Sequence, residues 1–271
     1  MKDDFLKKPL AMDRMPVLFV GHGSPMNGME KNRYSRAWSE IGERLPRPKA
    51  VLCISAHWLT RGTFTHERPE PKTIHDFWGF PRELYEIRYG CPGSPELARK
   101  VRSLIDRTHV ERDTDWGLDH GAWVPLSRLF PDADIPVFQL SIDISRPAAF
   151  HYELGKELAP LREWGVLILG SGNIVHNLGQ VDFEPDAAPY DWAIEFDELS
   201  RDLIERGDHK ALMAYERLGR AASLSIPTPD HYWPLIYILG LQLPGEPASF
   251  PVDGIAHGSV SMRTVLIGGH V

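Results

Sequence analysis

A chain of 271 residues with 30 basic and 37 acidic side chains carries a formal charge of −7, which argues against non-specific binding to nucleic acid or to an anionic membrane surface. Hydrophobic residues at 42% and charged residues at 25% are ordinary globular proportions, so disorder, collagen-like repeats and coiled coil are excluded as the main organisation. Two cysteines, Cys53 and Cys91, cannot build a disulfide framework; no apolar run reaches the roughly 20 residues of a membrane helix, and the N-terminal stretch lacks an apolar signal core, so a reduced, cytoplasmic compartment is expected.

Residues 1–15 (MKDDFLKKPLAMDRM) read as a loosely ordered extension. Residues 16–21 (PVLFVG) form a short apolar run bounded by Pro and Gly, the pattern of a strand buried on both faces. A helix is predicted near 34–45 and a second buried strand at 50–55 (AVLCIS). Residues 61–92 are rich in Pro, Gly and aromatics, have no clear period, and read as an ordered loop over a site. Residues 94–107 predict a helix with Ser94 as N-cap and Pro95 in the first position. Further buried strands are predicted at 136–142 and 165–170, with helices near 147–161, 190–206 and 208–218. A last helix is expected over 229–241, capped by Thr228 with Pro229 at its first position. Residues 242–259 read as loop again, and the alternating run 260–267 as an edge strand. Strands separated by helices predict an α/β fold: one domain over 1–271, with a central, mostly parallel (mixed) sheet flanked by helices on both faces. Its site belongs at the C-terminal ends of the strands.

Twelve histidines beside two cysteines make any metal site one of imidazole and carboxylate rather than thiolate. His22 (LFVGHGSPM) and His57 (LCISAHW) each directly follow a predicted strand, and His176 (LILGSGNIVHNL) lies a few residues past a third, with Gly170 and Gly172 between. Each alone could be a loop histidine bonded to backbone. Three at three strand ends instead predict convergence on the crevice edge of the sheet. His231 (PTPDHYWPL) is placed in the first turn of a helix, where it could ligate a metal or simply stack among Tyr232 and Trp233; Asp230 beside it is the competing ligand. His120 (WGLDHGAWVP) reads as a loop residue over a pocket, or one bonded to Asp119, and His75 is a weaker case of the same kind. His66, His109, His151, His209, His257 and His270 have no distinguishing context. Trp58, Phe77 and Trp78, in loops beside histidines, are expected to wall a pocket for a flat ring. There is no G-x-S-x-G elbow, P-loop, G-x-G-x-x-G or H-E-x-x-H.

Six segments in order, GHGSPM at 21–26, SAHW at 55–58, THERPEPKTIHDFWGFPRELY at 65–85, LDHGAWVPL at 118–126, GSGNIVHNL at 170–178 and DHYWPL at 230–235, resemble the 4,5-DOPA extradiol dioxygenase family of the class III extradiol ring-cleaving superfamily. The resemblance runs from about residue 16 to 267. It implies a non-haem metal held by His22, His57 and His231, where the wider superfamily commonly has a glutamate third, with His176 as acid/base and His120 assisting oxygen and substrate. It implies Fe(II) for activity, a small catechol such as DOPA and O2 as partners, and a ring-opened semialdehyde of the 4,5-seco-DOPA type as product. Neutral imidazoles also suit zinc, so Zn(II) is expected in purified protein, with His176 as a conditional fourth ligand. Two other readings are a zinc-dependent hydrolase built on the same histidines and a non-catalytic binding protein on the same fold. No single Arg or Lys stands out as a clamp for a substrate carboxylate.

Overall fold

In the computed structural model, which describes residues 14–184 and 187–269, the apolar runs become the middle of one sheet. The chain runs from β1 (Val17–Gly21) through a 3-10 turn at Pro25–Gly28 to α1 (Arg33–Arg44) and β2 (Ala50–Ser55). It continues through β3 (Leu59–Thr60), β4 (Thr63–His66), α2 (Arg82–Glu86), α3 (Pro95–Leu104), β5 (Val110–Asp113) and α4 (His120–Leu129). Next come β6 (Val137–Gln139), β7 (Ile142–Asp143), α5 (Ala148–Glu157), α6 (Pro160–Glu163) and β8 (Val166–Gly172). Four helices follow, α7 (Asp191–Glu205), α8 (His209–Met213), α9 (Arg220–Ser225) and α10 (Trp233–Gly240). The chain closes on β9 (Ala248–Val252), β10 (Ile255–Ala256), β11 (Val260–Ser261) and β12 (Thr264–Ile267).

The main sheet has the order β6-β2-β8-β1-β12-β9. Its first four strands are mutually parallel and the last two pairings antiparallel, so the expected mixed, mostly parallel sheet is present. Successive side chains point to opposite faces, which splits each apolar run between two cores. Phe19, Leu52, Ile54 and Ile168 pack with residues of α5, α7 and α10, among them Leu154, Phe196 and Ile236. Leu18, Val20, Cys53 and Leu169 pack on the other face with Trp38 and Ile41 of α1 and Trp123 and Leu126 of α4. Burying each such Leu, Ile or Val stabilises by about 1.5–3 kcal/mol, and helices on both faces leave no room for polar alternation.

Several boundaries differ from the sequence reading. The run 260–267 divides into β11 and β12, and β12 lies inside the sheet, not at its edge. The edge strand beyond it is β9, within the stretch read as loop; its half-exposed residues and Pro251 hide it, because proline is tolerated in strands mainly at an edge. His120 is not in a loop: Asp119 caps α4 by accepting the Ala122 N–H, and burial of every residue from His120 to Leu126 overrides the poor propensities of Gly121 and Pro125. The predicted helix over 208–218 is the short α8 followed by a 3-10 turn at Tyr215–Arg217. The final helix starts at Trp233, not 229, with Tyr232 rather than Thr228 at its N-cap. Pro234 has no N–H to give to the Asp230 carbonyl, so it suits only the first turn. Ser94 occupies the N-cap of α3 without a side-chain bond, while Pro95 is its first residue as expected. The loop at 61–92 contains β4 and α2. Residues 1–13 of the expected N-terminal extension, and His270, lie outside the described residues.

Two core histidines set an acid limit on the fold. His66 in β4 and His151 in α5 are 0% exposed, and burial pushes both down to about 4. Both are neutral when folded and take up a proton on unfolding below about pH 6.5. The unfolded chain then binds more protons, so stability is complete above about pH 6.5 and is lost as pH falls toward 4, at about 1.4 kcal/mol per pH unit per histidine. Carboxylates held low, such as Asp143 and Glu246, lose stability only below the ordinary carboxylate range, so the two effects separate. The urea midpoint of chelator-treated protein is expected to fall steadily from pH 7 to 5; a flat profile there contradicts neutral burial of these rings.

Candidate metal centre

The parallel strands deliver the histidines. β8 lies between β1 and β2, pairing Gly172 with Gly21 and Ser171 with Ser55, so the three strands end level. His22 follows β1 by one residue and His57 follows β2 by two. Their Nε2 atoms face each other at 3.2 Å. Two imidazole nitrogens on one ion, each at roughly 2.1 Å, stand about 3.0–3.4 Å apart, and this pair has that spacing. His231 completes a triangle: its ring centroid lies 5.4 Å from that of His22 and 5.0 Å from that of His57, which are themselves 5.1 Å apart. One ligand atom from each of the three lies within 4.8 Å of the others.

Each of the three rings has its Nδ1 engaged, leaving Nε2 free to face inward. His22 Nδ1 lies 3.0 Å from Ser171 Oγ, and Ser171 Oγ donates its proton to the Gly121 carbonyl. With that proton committed, His22 Nδ1 must be the donor, and Nε2 keeps its lone pair. The Gly121 carbonyl is available because its helical partner four residues on is Pro125, which has no N–H. A Cβ on Gly121 would lie 2.4 Å from Ser55 Oγ and 2.9 Å from the His57 ring, so only glycine lets α4 approach the end of β2. His57 Nδ1 lies 3.2 Å from Asp76 Oδ2. His231 Nδ1 bonds to Asp230, so this carboxylate orients the ring beside it.

His120 and His176 join the same cluster. The His120 ring centroid lies 3.9 Å from that of His57 and 5.4 Å from that of His22, placed by the first turn of α4 and not by a loop. The His176 ring stacks on His231 at 3.5 Å, with 6° between planes. In-plane lone pairs of two parallel rings run side by side and do not converge on one ion. The glycines before His176 are strand residues: Gly170 and Gly172 lie within β8, and a Cβ on Gly172 would stand 2.1 Å from the His231 carbonyl oxygen. Gly172 admits the His231 backbone, whose carbonyl accepts the Asn173 N–H at 2.8 Å, and His176 itself donates its N–H to the Ser225 carbonyl at 2.9 Å.

Burial dominates the electrostatics. His22 and His231 are pushed well below the ordinary histidine range by burial and by the surrounding imidazoles. Burial brings His57 to about 3 and His176 to about 4, although Asp76 and Asp230 pull the other way. The rings are neutral near pH 7, as ligation of a cation requires. Burial alone would raise Asp76, but the His120 ring and backbone N–H, with the neighbouring His57 ring, hold it at about 2. Burial and the Asp76 charge push Asp119 up to about 6.

Two contributors escaped the sequence reading. Asp76 lay in a segment without period, and Ser171 looked like part of a glycine turn; neither has a sequence neighbour that reveals its imidazole partner. Of the expected aromatic wall, Phe77 is at the cluster, edge-on to His120 at 5.7 Å. Trp58 stacks on Trp116 at 5.8 Å, and Trp78 is 86% exposed, so it walls nothing. His75 Nε2 bonds to the Ile87 carbonyl at 3.1 Å, a structural tie.

A 4,5-DOPA dioxygenase extradiol of Escherichia coli (strain K12) is 48% identical over 96% of this chain and 97% of its own. One of Beta vulgaris is 39% identical over 83% and 85%. A crystal structure of an uncharacterized Escherichia coli K12 protein superposes with a TM-score of 0.82 at 44% identity, covering 94% of this chain and all of that one. Residues 16–244 match the family described as the catalytic LigB subunit of aromatic ring-opening dioxygenase. With level strand ends delivering its histidines to one cluster, the chain belongs to this family of aromatic ring-opening dioxygenases, enzymes that use a non-haem metal and O2 on small aromatic substrates.

Proposed function

We propose that this enzyme opens the ring of catechols such as DOPA by extradiol cleavage, giving a ring-opened semialdehyde of the 4,5-seco-DOPA type, with iron(II) held by Nε2 of His22, His57 and His231. The observation that carries the reading is the triangle of three neutral imidazoles, each with its Nδ1 engaged by Ser171, Asp76 or Asp230. The names of the Escherichia coli and Beta vulgaris relatives support the substrate. When bound, the iron supplies open coordination positions for catechol and O2 and a path for electron density between them.

The protein's own residues do the rest. Phe77 offers an aromatic edge beside His120 against which a flat ring packs. His176, neutral at pH 7 and with no hydrogen bond to its ring among the described residues, is the base that takes a catechol hydroxyl proton, then holds it and returns it during ring opening. His120, beside His57, lies where it can bond to the substrate or to oxygen. Neutral imidazoles also suit zinc, and we propose Zn(II) as the ion recovered when iron is scarce, with His176 a fourth ligand only if its ring turns off the stack on His231. The whole chain acts as one catalytic domain. Two buried free cysteines suit a cytoplasmic setting; among the described residues no helix is long and apolar enough to cross a membrane.

The test is anaerobic loading with Fe(II), then O2 consumption and product analysis over a panel of catechols including DOPA. Stoichiometric O2 uptake with a yellow semialdehyde product is expected. Absence of uptake with every catechol, together with ester or amide hydrolysis by the zinc form, would favour the hydrolase reading.

A further inference from the structure

Asp76 sits on a loop fastened to the start of α4. Ile74 donates its N–H to the Leu118 carbonyl at 2.7 Å, Trp123 Nε1 donates to the Ile74 carbonyl at 3.0 Å, and the His120 N–H donates to Asp76 Oδ1 at 2.9 Å. Asp76 and His120 therefore form one rigid piece, while His57 arrives separately on the end of β2. The Asp76 carboxylate spans the gap between them: Oδ1 lies 3.0 Å from His120 Nδ1, and Oδ2 lies 3.2 Å from His57 Nδ1. The adjacent buried carboxylate, Asp119, has a different task. It accepts from the Ser55 hydroxyl, Trp116 Nε1 and the Ala122 N–H, ties of α4 to β2 that involve no imidazole.

We infer that Asp76 is a positioning residue whose single carboxylate fixes the tautomers of both His57 and His120, so that both rings present an Nε2 lone pair to the metal and substrate side. The inference rests on the reading of His57 as a metal ligand. An ionised carboxylate presents only lone pairs, and a bare Nδ1 held 3.0 Å (His120) or 3.2 Å (His57) from its oxygens would be repelled, so both Nδ1 atoms carry their protons, that of His120 in a charge contact off the hydrogen-bond line. In a neutral ring Nε2 is then bare, which a ligand requires at His57 and which in His120 leaves Nε2 able to accept. An asparagine has the same shape and cannot do this. Its one oxygen serves the two N–H groups of His120, and its NH2 is left facing His57 Nδ1. That nitrogen must then become an acceptor, its proton moves to Nε2, and the ligand position closes.

The experiment compares full-length wild type, Asp76→Asn and His57→Ala. Histidine ring 15N chemical shifts are read on chelator-treated protein, dissociation constants for Fe(II) and Zn(II) on the same samples, and folding by thermal unfolding. For Asp76→Asn the unfolding temperature should stay near wild type, the His57 signals should change from the Nδ1–H to the Nε2–H pattern, and both metals should bind about 10–100-fold more weakly, the usual effect of losing a ligand's hydrogen-bond partner. Unchanged tautomers at both rings in a folded Asp76→Asn protein overturn the inference, whatever the metal does. If His57→Ala binds metal like wild type, the ligand reading fails instead, and the tautomer change, read without metal, still tests Asp76 on its own.

Discussion

His231→Ala is expected to lose nearly all bound metal and with it all ring-opening activity, while chelator-treated variant and wild type unfold at nearly the same temperature. His231 contributes one corner of a three-nitrogen triangle, and removing one of three ligands abolishes the arrangement. Core stability rests instead on the residues that follow, since every residue of α10 is buried. Asp230→Ala supplies the contrast. It removes only the partner of His231 Nδ1, so affinity should drop by about 10–100-fold and high metal concentration should restore activity. Metal stoichiometry after anaerobic loading, set beside kcat on the same samples, checks both. Full metal content in His231→Ala combined with loss in Asp230→Ala would show that the carboxylate, not the imidazole, is the ligand.

His176→Ala should separate the two properties that fall together at His231. Iron content is expected to remain near wild type, while turnover falls by on the order of 10²–10⁴, the ordinary worth of general acid–base catalysis, or about 3–5 kcal/mol of barrier. The physical reason is the parallel stack on His231, which aims the lone pairs of the two rings alongside each other and not at a shared point. Burial also keeps His176 neutral at pH 7, ready to accept a proton. Electron-poor catechols ionise without help, so their turnover should suffer less. Loss of iron in proportion to activity would make His176 a ligand and remove it from proton transfer.

The short apolar runs at 16–21, 50–55 and 165–170 specified the centre of the sheet, because a strand buried on both faces has few polar positions to spare. The rule that ligands gather at the ends of parallel strands then marked His22, His57 and His176 from spacing alone. Local chemistry misled where packing outweighed it. Gly121 and Pro125 made α4 look like loop, yet one admits the helix beside β2 and the other frees a carbonyl for Ser171. Gly170 and Gly172 are strand residues, the first packed against Ile238 and the Pro234 carbonyl and the second against the His231 carbonyl. The Thr228–Pro229 cap pattern placed the last helix too early, and Pro234 sits in its first turn.

What the sequence by itself determined is therefore the edge of the sheet on which His22, His57 and His176 meet, since it follows from the apolar run just before each of them, while His120 and His231 stayed open on local pattern and joined them only through the family resemblance. Only the tertiary structure decided which nitrogen of each ring faces inward. Ser171 reaches His22 across 149 positions, and Asp76 reaches His57 and His120 from a loop with no period of its own. A hydrogen bond between residues so far apart in the chain depends on how the elements pack, and no local pattern encodes it.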